Sequence, residues 1–534
     1  MAASAGSGGN ETAETYGWDT VSAIHIADAN AAVARAGSSP SSFQAADTAD
    51  GYAVSGTFGA WQITTGGSGD LIRLAIPITK STITKPGGST ESASGTALVD
   101  VRLNYLDEEA NPPASGTNKL LKVQTTIAGP EAPAASVVQI NYTGTAPSFL
   151  ADAALQGMLG GWLNANLQDF DHVFATVNID RTADTGAFQW MQPTHVAYAY
   201  SDMGTPNDGL LGVLCMTGNR VEAGLPQQIS SVVIPPGQRV GFLIAKQRLL
   251  ENLMLPAMPN VFPGSTLADF KLSTTGEAIV NATNNVSFTV TTAAQGNTPA
   301  STHAAQIVDL QLTVEADEMQ LSVTTVTDIS PGIKAYCQTQ SFLGIRLVNK
   351  PDGTQTLGFY DSRAAVTNPW TEEDPGIQIT EEILGIVALL LAAVAIVVTD
   401  GAAIGAAALI VGLVVGVMSL TTTLIQDAGK DDAPSIDSLV LNSTAAITWP
   451  DSKDFRLGTA GLSDSLQLGG TLTLAERLRV PSHEREKKGS GVFSSAGLMR
   501  SITWTQSTTF CEAAMISTTI PPSPARTHRS HPCT

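Results

Sequence analysis

The stretch SHEREKK, residues 482–488, opens like a zinc-protease helix, in which two histidines four apart hold the metal and a glutamate between them acts as the base. Here His483 and Glu484 are followed by Lys487 where the second histidine must stand, so one ligand is missing and the match fails. His25, His172, His195 and His303 lie in strand-like sequence with no second ligand at a recognisable spacing, which predicts surface or satisfied core histidines. The pairs Glu372–Glu373 and Glu381–Glu382 have the residue types for general acid and base work, but neighbouring acids in loops are ordinarily solvated. TTGGSGDL, residues 64–71, joins two predicted strands with no helix following, so it reads as a hairpin turn rather than an anion nest. Neither a P-loop nor a dinucleotide-binding glycine motif is present. Cys215, Cys337, Cys511 and Cys533 lack C-x-x-C spacing and predict core or incidental thiols. The expectation is a non-enzymatic protein with no metal and no cofactor.

What must position any binding residues is a chain of 534 residues, long enough for two or three domains. Lys plus Arg number 28 against 48 Asp plus Glu, a net charge of -20, which opposes a nucleic-acid backbone and an anionic lipid surface alike. The first fifteen residues have neither a basic start nor an apolar run, so cytoplasmic synthesis is expected, with any export by a route other than a classical signal peptide.

Most of the chain alternates with period two, the pattern of a half-buried antiparallel strand. Ile72, Leu74, Ile76 and Ile78 share one face; Val99, Val101, Leu103 and Tyr105 share another, opposite Asp100, Arg102 and Asn104. The pattern returns at Val138, Ile140 and Tyr142, at Val173, Ala175, Val177 and Ile179, at Val286, Phe288 and Val290, and at Val308, Leu310, Leu312 and Val314. A few helices are expected between the strands, two of them distinct. One runs through SFLADAALQGMLGGWLNANLQDF, capped by Ser148, with Leu155, Met158, Leu159, Trp162, Leu163, Leu167 and Phe170 at helical spacing. The other, 242–255, is apolar on several sides and should stop before Pro256. Gly-, Ser- and Pro-rich stretches at 82–97, 111–117, 128–135 and 295–302 read as loops.

One segment stands apart. Ile383 to Val398 is apolar for sixteen residues, Thr399 and Asp400 interrupt, and Ala402 to Leu420 resumes. Since a spanning helix needs about 20 residues, the two halves joined at Thr399-Asp400-Gly401 read as a helical hairpin, with Gly401, Gly405, Gly412 and Gly416 allowing close contact. Its flanks are acidic, without the basic anchors of a resident membrane protein. Three readings stay open: a constitutive membrane hairpin, a conditional inserter, and a hairpin packed in or against an apolar cavity. In all three, Ile383, Leu384, Val387, Leu390, Val394, Val398, Ile404, Leu409, Leu413 and Val417 are the expected lipid or membrane contacts.

The last 64 residues carry eight Lys or Arg against four Asp or Glu, and both periodic patterns fade, which predicts a largely disordered tail over 471–534. A disordered stretch is likewise expected at 1–14.

YGWDTVSAIHIADANAAV (16–33), a strand opening W-D-T-V that leads into a short helix with Asn30, resembles the P47 family, relatives of which are encoded with OrfX proteins beside some clostridial neurotoxin genes. FGAWQITTGGSGDLIRLAIPI, WLNANLQDFDHVFATVNID, FQWMQPTHVAYAY, LGVLCMTGNR, GFLIAKQRLLENLMLPAMPNVF and ITWPDSKDFRLGTAGLSDSLQLGG are similar in order, across roughly residues 15–470. The resemblance implies an α+β fold of the TULIP type: two modules, 15–260 and 261–470, each a long curved antiparallel sheet wrapped around a helix to leave an apolar groove. It implies a lipid or other apolar ligand, with a protein partner encoded nearby or a toxin-accessory role as the alternative. Nucleic acid is not expected as a partner, and no catalytic residue can be carried over.

Overall fold

The computed structural model describes residues 11–47, 49–108, 118–125, 133–179, 188–262, 264–283, 286–292, 300–351, 353–377, 381–415 and 446–474. The expected tail lies outside these apart from its first four residues, and so do Cys511, Cys533 and the 483–487 motif. Within them the alternating segments form three sheets whose paired strands all run antiparallel.

The first sheet has six strands in the order Pro193–Ser201, Leu210–Thr217, Thr20–His25, Val240–Ala245, Ser465–Leu474 and Ser452–Leu462. Residues from both ends of the chain meet here, with Thr20–His25 between Leu210–Thr217 and Val240–Ala245. Leu210–Thr217 and Val240–Ala245 are buried at every position, which explains why they read as continuous apolar runs rather than alternating ones. Ala13, placed by the sequence in a disordered stretch, is instead fully buried and receives the Ser465 hydroxyl on its carbonyl at 2.8 Å.

The second sheet has nine strands built on the hairpin Leu71–Thr84 and Thr90–Asp107. Ile72, Leu74, Ile76 and Ile78 are 2% exposed or less, as alternation predicts. The stretch 82–97 is not a loop: its serines and threonines continue both strands, and only residues 85–89 turn. Helix α1 (Ile26–Ala36) is fixed to this sheet by Asn30, whose side chain donates to the Ile63 carbonyl at 2.9 Å and accepts from the Ile63 amide at 2.7 Å. Helix α2 (Phe149–Asn166) touches Ser42–Asp47, Tyr52–Phe58, Leu71–Thr84 and Ala135–Tyr142, strands spread across the sheet, so the sheet curls around the helix. Its buried face repeats every four residues, Ala151, Leu155, Leu159 and Leu163. Ser148 precedes α2 but does not cap it. Instead its hydroxyl and its amide both donate to the Glu91 carboxylate of the facing hairpin, at 2.8 Å and 2.7 Å, which turns the side chain away from the helix amides.

The expected helix 242–255 is displaced. Val240–Ala245 is a strand, and helical structure begins at Lys246 and runs past Pro256 to Val261. It is composed of α3 (Lys246–Leu249), a π-helical turn (Leu250–Met254) and α4 (Leu255–Val261). Pro256 falls in the first turn of α4, directly after the π turn, a position where proline is tolerated, so the helical run passes it.

The third sheet orders Phe270–Leu272, Ala278–Asn281, Ser301–Glu315, Glu318–Ser330, Ile333–Asn349 and Gln355–Glu373, with Val286–Thr292 also paired to Ser301–Glu315. Ile333–Asn349 and Gln355–Glu373 have 17 and 19 residues, well beyond the usual 3–10 of a globular strand. Helix α5 (Glu381–Val415) packs against this sheet, touching Val286–Thr292, Glu318–Ser330, Ile333–Asn349, Gln355–Glu373 and also α4.

Here the expected hairpin is corrected. Thr399, Asp400 and Gly401 are helical, and α5 is one helix of 35 residues, about 52 Å long at 1.5 Å per residue. Gly costs only about 1 kcal/mol in a helix interior, and there is no proline to force a break. Thr399 satisfies its hydroxyl by donating to the Ala395 carbonyl at 2.8 Å, one turn back, and Asp400 is exposed. One hydrophobic core runs from Ile24 to Leu468 and includes the inner faces of α2, α4 and α5.

Candidate functional site: an apolar groove beside the long helix

Along α5, Val387, Leu390, Val394, Val398, Ala402 and Ala406 recur every three or four residues and are at most 4% exposed. The opposite side is apolar as well but faces outward, with Leu384 50% and Ile396 60% exposed. Leu384–Ile404 is long and apolar enough to cross a membrane by length and composition, yet one side of it is core. Of the expected contact residues, Val387, Leu390, Val394 and Val398 therefore form one buried row, Ile404 is partly buried against the same core, and Leu384 points away from it. Ile383, Leu409 and Leu413 lie within α5, and Val417 lies outside the described residues.

Beside the first half of α5 runs a groove of about 560 Å³. Leu384, Val387, Ala388, Leu391 and Ala392 form its helix wall, and Thr367, Pro369, Trp370 and Thr371, near the end of the longest strand, form the other. None of these nine side chains ionises; the polar side-chain groups are two threonine hydroxyls and the Trp370 indole N–H, and the rest is hydrocarbon. Trp370 is held in place by stacking on Tyr336 of the neighbouring strand, centroids 5.1 Å apart and planes within 5°. Ala388 and Ala392 keep the helix wall shallow, and a larger side chain at either position would fill the space. Sequence reasoning found the helix wall but missed the strand wall, because nothing local marks Thr367–Thr371 as the partner of residues 384–392.

The ionisable groups assemble differently. Glu372 and Glu373 sit on strand positions opposite Lys334 and Ile333, and Glu381 starts α5, where the helix dipole favours a carboxylate. Among the described residues no three His, Cys, Asp or Glu side chains are placed to hold a metal ion. Cys215 and Cys337 are buried free thiols; burial pushes the Cys215 thiol up to about 12, so it stays protonated and unreactive.

His172 is a packed histidine, 3% exposed, between Phe170 and Phe174, with Nδ1 3.1 Å from the Ser38 hydroxyl. Burial holds its pKa down to about 4 from 6.5. Below 6.5 the unfolded chain binds a proton that the folded chain refuses, so this residue's contribution is complete above 6.5 and is lost as pH falls toward 4. Denaturant unfolding should show His172→Phe losing about 2 to 3 kcal/mol less than wild type between pH 7 and pH 4. Equal losses in the two proteins would place the acid sensitivity elsewhere.

A mainly antiparallel protein whose sheets curl around helices, with an ion-free apolar groove along the last of those helices, defines the class. The chain belongs to the OrfX-like family, Protein OrfX2/OrfX3/P47, whose model matches residues 15–470. It is 29% identical to Protein OrfX3 of Paraclostridium bifermentans over 495 residues, covering 87% of this chain and all of the relative. Protein OrfX3 of Clostridium botulinum (strain Kyoto / Type A2) is likewise 29% identical, over 86% of this chain and 98% of the relative. The solved structure of P47 from Clostridium botulinum A2 is similar at a TM-score of 0.56 and 16% identity, covering 86% of this chain and 98% of that one. The family resemblance read from the sequence is borne out.

Proposed function

We infer that this protein is a non-enzymatic binder of lipid or another apolar ligand, built from TULIP-like modules. The groove between α5 and Thr367–Thr371 carries the reading: it is apolar, lies beside a helix and is open to solvent. An acyl chain laid against Trp370, Leu384, Val387 and Leu391 gains about 25 cal/mol for each Å² of apolar surface removed from water. With two threonine hydroxyls and one indole N–H as the polar side-chain groups, the groove would select for hydrocarbon more than for a head group. The exposed side of α5, including Leu384 and Ile396, adjoins the groove and suits contact with the membrane from which a chain is taken up.

Uptake of a fluorescent fatty acid tests the reading. Wild-type protein should bind it saturably, and Ala388→Trp, an exposed position on the groove wall, should weaken binding by about tenfold or more with an unchanged melting temperature. Saturable binding that is unchanged in Ala388→Trp would place the ligand elsewhere. Absence of binding would favour the alternative, a surface for a protein partner.

A further inference from the structure

We draw no further inference here: the strongest candidate, the polar cavity of about 300 Å³ where Tyr16 and Gly17 meet the start of α3, carries nothing, because its Lys246 is already paired with Glu277 at 2.7 Å and Asp464 at 3.0 Å, Gln247 donates to Glu277, and no buried unpartnered side chain among the described residues lines it to recognise a ligand.

Discussion

Val394→Asp should unfold α5 and the third sheet it packs on, whereas Ile396→Asp, two residues away, should leave them standing. Val394 is 1% exposed and faces the core shared with α4 and the long strands; Ile396 is 60% exposed on the other side of α5. A carboxylate forced into the first position has no partner and costs at least about 4 kcal/mol, while one at the second meets water and should change stability by less than about 1 kcal/mol. Urea midpoints of the two variants, measured without detergent, separate the readings that the sequence leaves open. A helix that spans a bilayer has no such asymmetry, so equal damage at both positions, or protein that needs detergent to remain in solution, would contradict a core helix.

Asp19→Ala should be nearly as damaging. Asp19, the acidic residue of the W-D-T-V opening, is completely buried and accepts from the Thr217 amide at 2.7 Å, the Thr217 hydroxyl at 3.0 Å and Arg220 Nη1 at 2.6 Å. Its Oδ2 also lies 3.9 Å from Nε of Arg248, a guanidinium 4% exposed that donates to Glu251 and to the Trp190 carbonyl. Through these bonds one carboxylate ties the start of Thr20–His25 to the end of Leu210–Thr217 and to α3. Removing it loses three hydrogen bonds, leaves the buried Thr217 donors without their acceptor and takes away the carboxylate nearest Arg248 Nε, a change of about 3 kcal/mol. Asp19→Asn keeps an acceptor for Thr217 and should fall between the alanine variant and wild type. Denaturant midpoints check the order, and an alanine variant within about 1 kcal/mol of wild type would show that Asp19 is not what ties these elements together.

Much of the sheet structure was legible in the alternation, and its exceptions share one cause. Val138 and Val308 were placed on inner faces, yet they are 44% and 41% exposed. At each, the register shifts by one residue, between Val137 and Gln139 opposite Leu98–Val99, and between Ile307 and Asp309 on Ser301–Glu315. A bulge inserts an unpaired residue and flips the faces on one side of it, and a single strand's sequence carries no sign of that. The helix at 149–166 was legible because its apolar residues repeat on one stripe. The one at 242–255 was misplaced because a strand buried on both faces looks the same as a greasy helix. The hairpin failed for a related reason: Thr-Asp-Gly carries turn residues, but a helix anchored on both sides of them by core contacts tolerates all three.

The site was half legible. Hydropathy alone singled out α5, and the 3–4 spacing of Val387, Leu390, Val394 and Val398 shows which side is buried once the helix is known to be continuous. The groove itself depends on residues 367–371 being carried alongside 384–392 by the pairing of Ile333–Asn349 with Gln355–Glu373, a tertiary arrangement outside the reach of local pattern. The same holds for the ion pairs of α1, where Asp28 meets Arg239 and Arg35 meets Asp451, more than 200 residues away in each case.

Mass spectrometry of the organic extract from protein purified without detergent, wild type beside Ala388→Trp, tests the central claim most directly. The groove reading predicts lipid at near one equivalent in wild type and a large loss in the filled variant at unchanged thermal stability. Wild-type protein that carries no lipid and takes none up from vesicles would contradict it.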